Sequence, residues 1–211
     1  GDVADLGVVD DRQVKGGHNQ QTARAAAAGA CGVGATDAAG CEGLLAVRPR
    51  EHRSEPAGLV DGVACYNDSK ATNVDATRVA LTAFLPTRPI VLLGGRDKGT
   101  DLAPPVAACE ENARAVVCFG EARERFLAAF ADSAVSPVPS AGTMEEALDA
   151  ALSIPADGDA VVLSPACASL DEVSCFEERG GGVQRLGAGR AGRAPAFRPT
   201  PPPHPRAPRP P

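Results

Sequence analysis

Four clusters of polar and small residues hold most of this chain's capacity for chemistry. The first is Asn67-Asp68-Ser69-Lys70-Ala71-Thr72-Asn73, which follows an apolar run ending at Tyr66. A carboxylate, an ammonium, two hydroxyls and two amides at a strand-to-helix junction can meet a ligand together with free helix N–H groups. Taken alone, the stretch serves equally well as a helix cap and solvated loop. The second, Leu93-Gly94-Gly95-Arg96-Asp97-Lys98-Gly99-Thr100-Asp101, sets paired glycines near Lys98. Glycines let backbone approach a ligand closely, and the lysine offers a point charge to a carboxylate or phosphate. It does not match GxxxxGK[ST], and by itself it also reads as a surface turn. The third is Ser164-Pro165-Ala166-Cys167-Ala168-Ser169-Leu170-Asp171. Its small residues leave room for a ligand and its hydroxyls can orient one. Cys167 has no histidine to help it as a nucleophile other than His52, so a small buried thiol is the ordinary reading. The fourth is His52-Arg53, placed between two zones, where Arg53 would reach a nucleotide held across a domain cleft.

The elements that must position these clusters follow from periodicity. Short apolar runs at Gly62–Tyr66, Ile90–Leu93, Ala115–Phe119 and Ala160–Leu163 alternate with helical patterns at about Val74–Leu85, Leu102–Asn112, Ala122–Asp132 and Met144–Ser153. Thr143 followed by Glu146 is a capping box that starts the last of these helices. Such alternation predicts an α/β fold, an open and mostly parallel sheet with helices on both faces, and ligands at the C-terminal ends of its strands. Each of the first three clusters falls at such an end. Upstream, an Ala-rich helix is expected over Asn19–Cys31, closed by Gly32 and Gly34, and a second over Thr36–Ala46 with Thr36 as N-cap. Residues 48–53 read as a connector. Downstream, 187–211 is too rich in proline for helix or sheet and reads as a basic, disordered, polyproline-like tail.

Composition narrows the classes further. Aromatic residues make up 3% of the chain, so Ala, Val and Leu must build the core, as suits helices on a parallel sheet. A net charge of -6 argues against a nucleic-acid-binding domain. No run approaches ~18 consecutive apolar residues, so no membrane partner is expected. The seven cysteines contain no CxxC pair, which argues against a zinc site or a disulfide framework and for reduced thiols.

Together the clusters resemble the Mur ligase family of peptidoglycan synthesis in its D-glutamate-adding branch. The shared pattern is HN near a helix start (His18-Asn19), HR at the connector, NDSKATN, LLGG-x-x-K, and SPACASLD followed by F-x-x-RG, over roughly Gly16 to Leu186. NDSKATN and SPACAS together are specific to that branch. The resemblance implies a Rossmann-like C-terminal, amino-acid-binding domain over 51–186, a helical remnant of a central ATPase domain over 1–50, and the tail beyond. It also implies an amide-forming ligation in which ATP activates the carboxylate of UDP-N-acetylmuramoyl-L-alanine and the amine of D-glutamate attacks it. On this likeness Lys98, Thr72, Ser169, Leu170 and Phe176 would hold D-glutamate. Arg53, Asp68 and Asn19 would meet the nucleotide, with Asp68 at the ribose, and Lys70 would be catalytic beside the transferred phosphate. ATP and magnesium are the implied cofactors, the metal ligands being expected outside this chain, and no obligate protein partner is inferred. The implied location is a bacterial cytoplasm, or a plastid stroma in an alga or plant.

Departures from the pattern accompany the match. The GTNGK[ST] loop is absent, Thr22 stands where HNxxN has its second Asn, Ser54 replaces an apolar residue after HR, and Gly181-Gly182-Val183 stand where a bulky aromatic would anchor the last helix. The chain is therefore expected to be a fragment, inactive alone. Two functions remain open at this stage: a part of the ligase, or a non-catalytic module that still binds an amino acid or nucleotide.

Overall fold

Successive residues of a strand point to opposite faces of its sheet, so a strand buried on both sides must be apolar throughout. The runs of this chain meet that demand. A computed structural model describes residues 17–47, 50–60, 62–135, 137–138, 142–154 and 160–190, with side chains between 21 and 186. Its elements are α1 (Gly17–Gly32), α2 (Asp37–Ala46), β1 (Glu55–Val60), β2 (Val63–Asn67), α3 (Val74–Thr82), β3 (Ile90–Gly94), α4 (Ala103–Asn112), β4 (Ala115–Phe119), α5 (Arg123–Ala129), β5 (Pro137–Val138), α6 (Met144–Leu152), β6 (Ala160–Ala166) and α7 (Phe176–Arg190). The six strands lie in the order β1-β2-β6-β3-β4-β5. All neighbours are parallel except β1 and β2, which form an antiparallel hairpin.

Two apolar layers sandwich this sheet. On one face Val91, Leu93, Val116 and Cys118 pack with Leu81 of α3, Cys109 of α4 and Phe126 of α5. On the other, Ile90, Leu92, Val117, Phe119, Val161 and Leu163 pack with Ala147, Leu148 and Ala151 of α6 and Val183 of α7. Odd and even positions of β3 and β4 thus serve different layers. The helices flank the sheet on both sides, as the alternation predicts. Helix starts follow local chemistry: Thr36 and Asn73 cap α2 and α3, and Thr143 with Glu146 closes a reciprocal capping box on α6.

Three features depart from the sequence-based expectation. β1 is a strand that the apolar runs do not announce; Pro56 and the Gly58 bulge hide its apolar alternation, and its position at the sheet edge tolerates both. β5 is only two residues long, paired with Val116 and Val117. α7 continues past Leu186 to Arg190, beyond the expected start of the tail; residues 191–211, and residues 1–16, lie outside the described residues.

Candidate functional site

A parallel sheet opens a crevice where neighbouring strands send their following helices to opposite faces. Here that place is the C-terminal end of β3 and β6: α4 follows β3 onto one layer, and α7 follows β6 onto the other. The register between these strands slips between Leu92 and Gly94, and Ala166 takes a left-handed φ of 58°. A non-glycine residue in that region costs on the order of 1–3 kcal/mol, held here by the surrounding strands. The loops after β2, β3 and β6 meet at this mouth.

Hydrogen bonds join the three loops directly. Lys98 Nζ donates to the Thr72 carbonyl at 2.9 Å, tying the β3 loop to the β2 loop. Arg96 N–H donates to the Ala168 carbonyl at 2.9 Å, tying the β3 loop to the β6 loop. Lys98 is exposed, Thr72 half-buried, Ser169 buried and Leu170 55% exposed. The β3 loop is itself braced: Asp97 accepts from Gly99 N–H at 2.8 Å and pairs with Arg125, and the Gly99 bond holds its carboxyl below the usual range. Gly94 and Gly95 are required here, because a Cβ on either would lie 2.0 and 2.3 Å from the Phe119 and Ala168 carbonyl oxygens.

A second group forms on the β2 side. His52 has a left-handed φ of 61°, and its carbonyl accepts from Lys70 N–H at 3.1 Å. Asn67 accepts from Ser69 N–H with Oδ1, which turns its Nδ2 toward His52 Nδ1 at 2.9 Å. The ring nitrogen must then be the acceptor, so this network assigns the imidazole proton to Nε2. Lys70 Nζ lies 4.2 Å from the centroid of the Phe176 ring, and His52 meets the same ring edge-on at 5.8 Å. Phe176, expected from the resemblance among the D-glutamate contacts, is thus packed with Lys70 and His52.

Asp68 turns inward. Its oxygens accept from Ser54 N–H at 3.0 Å and Ser164 Oγ at 2.8 Å, and only 6% of the residue is exposed. Burial pushes its carboxyl up to about 6, against the opposing pull of the Ser164 and Ser54 bonds and of nearby Arg53. Arg53 itself is exposed beside this group. Asn19 lies in the first turn of α1, but its side chain is outside those described. Burial raises the Cys167 thiol to about 11, so it is a poor nucleophile, as the sequence suggests.

Arg179 is the residue that sequence reasoning quotes in F-x-x-RG but gives no part. It is 2% exposed, and it donates from Nη1 to Ala168 O at 3.0 Å and from Nη2 to Ser69 O and Cys167 O at 3.0 and 3.1 Å. Burial lowers its guanidinium to about 10. Beside it, Gly180 leaves space that a Cβ would fill at 2.3 Å from His52 Nδ1 and 2.5 Å from Ser69 Oγ. Hollows mark the described surface on either side of the sheet. One of about 530 Å³ lies between α4 and α5, and one of about 350 Å³ lies between α6 and α7 beside Arg179. Lys98, Thr72, Lys70 and Ser169 line neither; they stand where the loops after β2, β3 and β6 meet.

This fold defines a doubly wound α/β domain with loops gathered at the reversal of strand order. The chain belongs to the Mur ligase family: the model of the Mur ligase glutamate ligase domain matches residues 52–167. It is similar to the UDP-N-acetylmuramoylalanine-D-glutamate ligase of Rubrobacter xylanophilus, 40% identical over 178 residues, covering 83% of this chain and 40% of that protein. The ligase of the same name from Chromobacterium violaceum is 41% identical over 170 residues, covering 80% of this chain and 37% of that one. The chain thus spans less than half the length of the curated relatives it matches. Among solved structures, UDP-N-acetylmuramate-alanine ligase from Thermotoga maritima shares the fold, with a TM-score of 0.63 and 18% identity over 85% of this chain and 39% of that one. So does folylpolyglutamate synthase from Mycobacterium tuberculosis, solved with ADP and AMPPCP, with a TM-score of 0.58 and 19% identity over 87% of this chain and 42% of that one.

Proposed function

We propose that this chain supplies the D-glutamate-binding part of an ATP-dependent ligase that joins D-glutamate to UDP-N-acetylmuramoyl-L-alanine in peptidoglycan synthesis, in the cytoplasm. The observation that carries the reading is the junction of three loops: Lys98 bonded to the Thr72 carbonyl, and Arg96 of the same loop bonded to Ala168, next to Ser169. An ammonium group has three donors, and one bond to a carbonyl leaves others for a carboxylate. Lys98 takes the side-chain carboxylate of D-glutamate, Thr72 and Ser169 add hydroxyl contacts, and Leu170 covers the pocket.

The neighbouring group faces the nucleotide side. ATP, when bound, supplies the phosphoryl group that activates the acceptor carboxylate. Lys70, oriented by Phe176, stands as the cation beside that phosphate and offsets its developing charge. Arg53 and Asn19 meet the nucleotide from the connector and α1. Asp68, with its oxygens turned to Ser54 and Ser164, acts by fixing the backbone next to Arg53. These donors fit an anionic phosphate. Magnesium, implied with ATP by the family resemblance, is on this reading held mainly by residues outside this chain. The sequence has no GxxxxGK[ST] loop to cradle a triphosphate, so the chain by itself is expected not to form the amide.

An NMR titration with D- and L-glutamate tests the reading. Selective shifts of the Thr72, Lys98 and Ser169 amides with the D enantiomer are expected. Equal shifts with both enantiomers, or none with either, would sink it.

A further inference from the structure

We propose that Arg179 is the positioning residue of this site, a buried guanidinium that locks the β2, β3 and β6 loops into one arrangement and touches no substrate itself. The inference rests on the D-glutamate reading above for its functional consequence, and on the geometry alone for its mechanism.

The guanidinium is placed where the loops converge. Ser69, whose carbonyl accepts from Nη2, immediately precedes Lys70. Cys167 and Ala168, which accept from Nη2 and Nη1, immediately precede Ser169. The β3 loop packs against the same group, for a Cβ on Gly95 would lie 2.8 Å from Arg179 Nη1 and 2.3 Å from the Ala168 carbonyl. Ala168 in turn accepts from Arg96 N–H, in the loop that carries Lys98. One side chain therefore sets the spacing of the backbone next to Lys70 and Ser169 and, through Gly95 and Ala168, next to Lys98.

Among the described residues the hydrogen bonds that this guanidinium donates go to carbonyl oxygens; its Nε is buried without a partner, and Asp171 and Glu172 favour its charge without bonding it. A buried cation whose donors are only partly met is costly, so its retention here needs a return. The planar fork supplies one: its nitrogens reach carbonyls in different directions at fixed angles, which a tetrahedral ammonium cannot reproduce. Gly180 completes the arrangement by letting α7 approach His52, Asn67 and Ser69 without a side chain in the way. The burial of Arg179 also keeps it from any ligand at the mouth.

Amide hydrogen exchange on the full chain and on Arg179→Lys and Arg179→Met tests the mechanism without a ligand. Exchange of the Arg96 and Lys70 amides should speed up by roughly tenfold or more, while Val91 and Val117 in the sheet keep their protection. Unchanged loop amides would overturn the proposal. Equal loss across loops and sheet, or failure of both variants to fold, would overturn it too, because Arg179 would then be holding the whole fold. The functional half is read by D-glutamate titration: Arg179→Lys should bind roughly tenfold or more weakly than the parent. Unchanged affinity despite opened loops refutes the positioning claim. If the parent does not bind D-glutamate, the functional reading falls, and the exchange result alone decides for Arg179.

Discussion

The ammonium of Lys70 lies over the ring of Phe176, 4.2 Å from its centroid, joining the loop after β2 to the first residue of α7. A lysine on an exposed loop otherwise samples many rotamers; the ring face restricts it. A double-mutant cycle with Lys70→Met and Phe176→Leu should give a coupling of about 0.5–1 kcal/mol in urea melts. Additive losses would mean that the ring does not hold the lysine.

Lys98 should dominate recognition of D-glutamate. A hydrogen bond to a charged group contributes on the order of 1.5–3 kcal/mol, so Lys98→Ala should weaken binding roughly ten- to a hundredfold. Ser169→Ala should cost about 1 kcal/mol, as a neutral hydroxyl bond is worth about half as much. Titrations that rank the two variants the other way would contradict the assignment.

Asp68 predicts a pH-dependent stability. Its folded carboxyl is raised from 3.8 to about 6, so the fold favours the protonated form. That contribution is complete below about pH 4 and is lost as pH rises through about 6. Asn cannot ionise, and its amide can still accept from Ser54 N–H and donate to the Ser164 hydroxyl. Asp68→Asn should therefore match the parent at pH 4 and exceed it at pH 7, by up to roughly 3 kcal/mol. Thermal melts across this range check it; a gain that is largest at pH 4 would reverse the sign and refute it.

Adjacent glycines of α7 should respond in opposite directions. A Cβ at Gly180 would meet His52, Ser69 and Asn67 at 2.3, 2.5 and 2.6 Å, so Gly180→Ala should destabilise by about 1–3 kcal/mol. At Gly181 the contact is the Arg185 Nη1 at 3.3 Å, the far end of a flexible side chain. Gly181→Ala should therefore stabilise by about 0.5–1 kcal/mol through helix propensity. Melting temperatures of the two variants relative to the parent decide this.

Local signals carried the fold well into view. The strands at Ile90, Ala115 and Ala160 and the capping box at Thr143 are written in periodicity and short-range chemistry, and the structure has them where these place them. β1 was hidden because Pro56 and Gly58 break its pattern, although Asp61-Gly62 between apolar runs is a hairpin signal. β5 exists only through its pairing with β4, which no local signal reports. The site divides the same way. Lys98, Thr72 and Ser169 lie in polar clusters legible one loop at a time, but alone these read as well as caps and turns, and only the family resemblance singles the three residues out. The inward turn of Asp68, the stacking of Phe176 on Lys70 and the grip of Arg179 depend on residues far away in sequence, which come together only when β6 pairs beside β2 and α7 docks.

The sheet order has a consequence for how this chain is made. β6 is the last of the described strands in chain order, yet it lies between β2 and β3 and pairs with both. Without β6 the sheet order leaves the β1–β2 hairpin and the β3–β4–β5 ribbon with nothing between them. Each half then presents an unpaired strand edge, the kind of surface that recruits other chains. Residues 160–166 are thus the wedge that joins the two parts of the sheet.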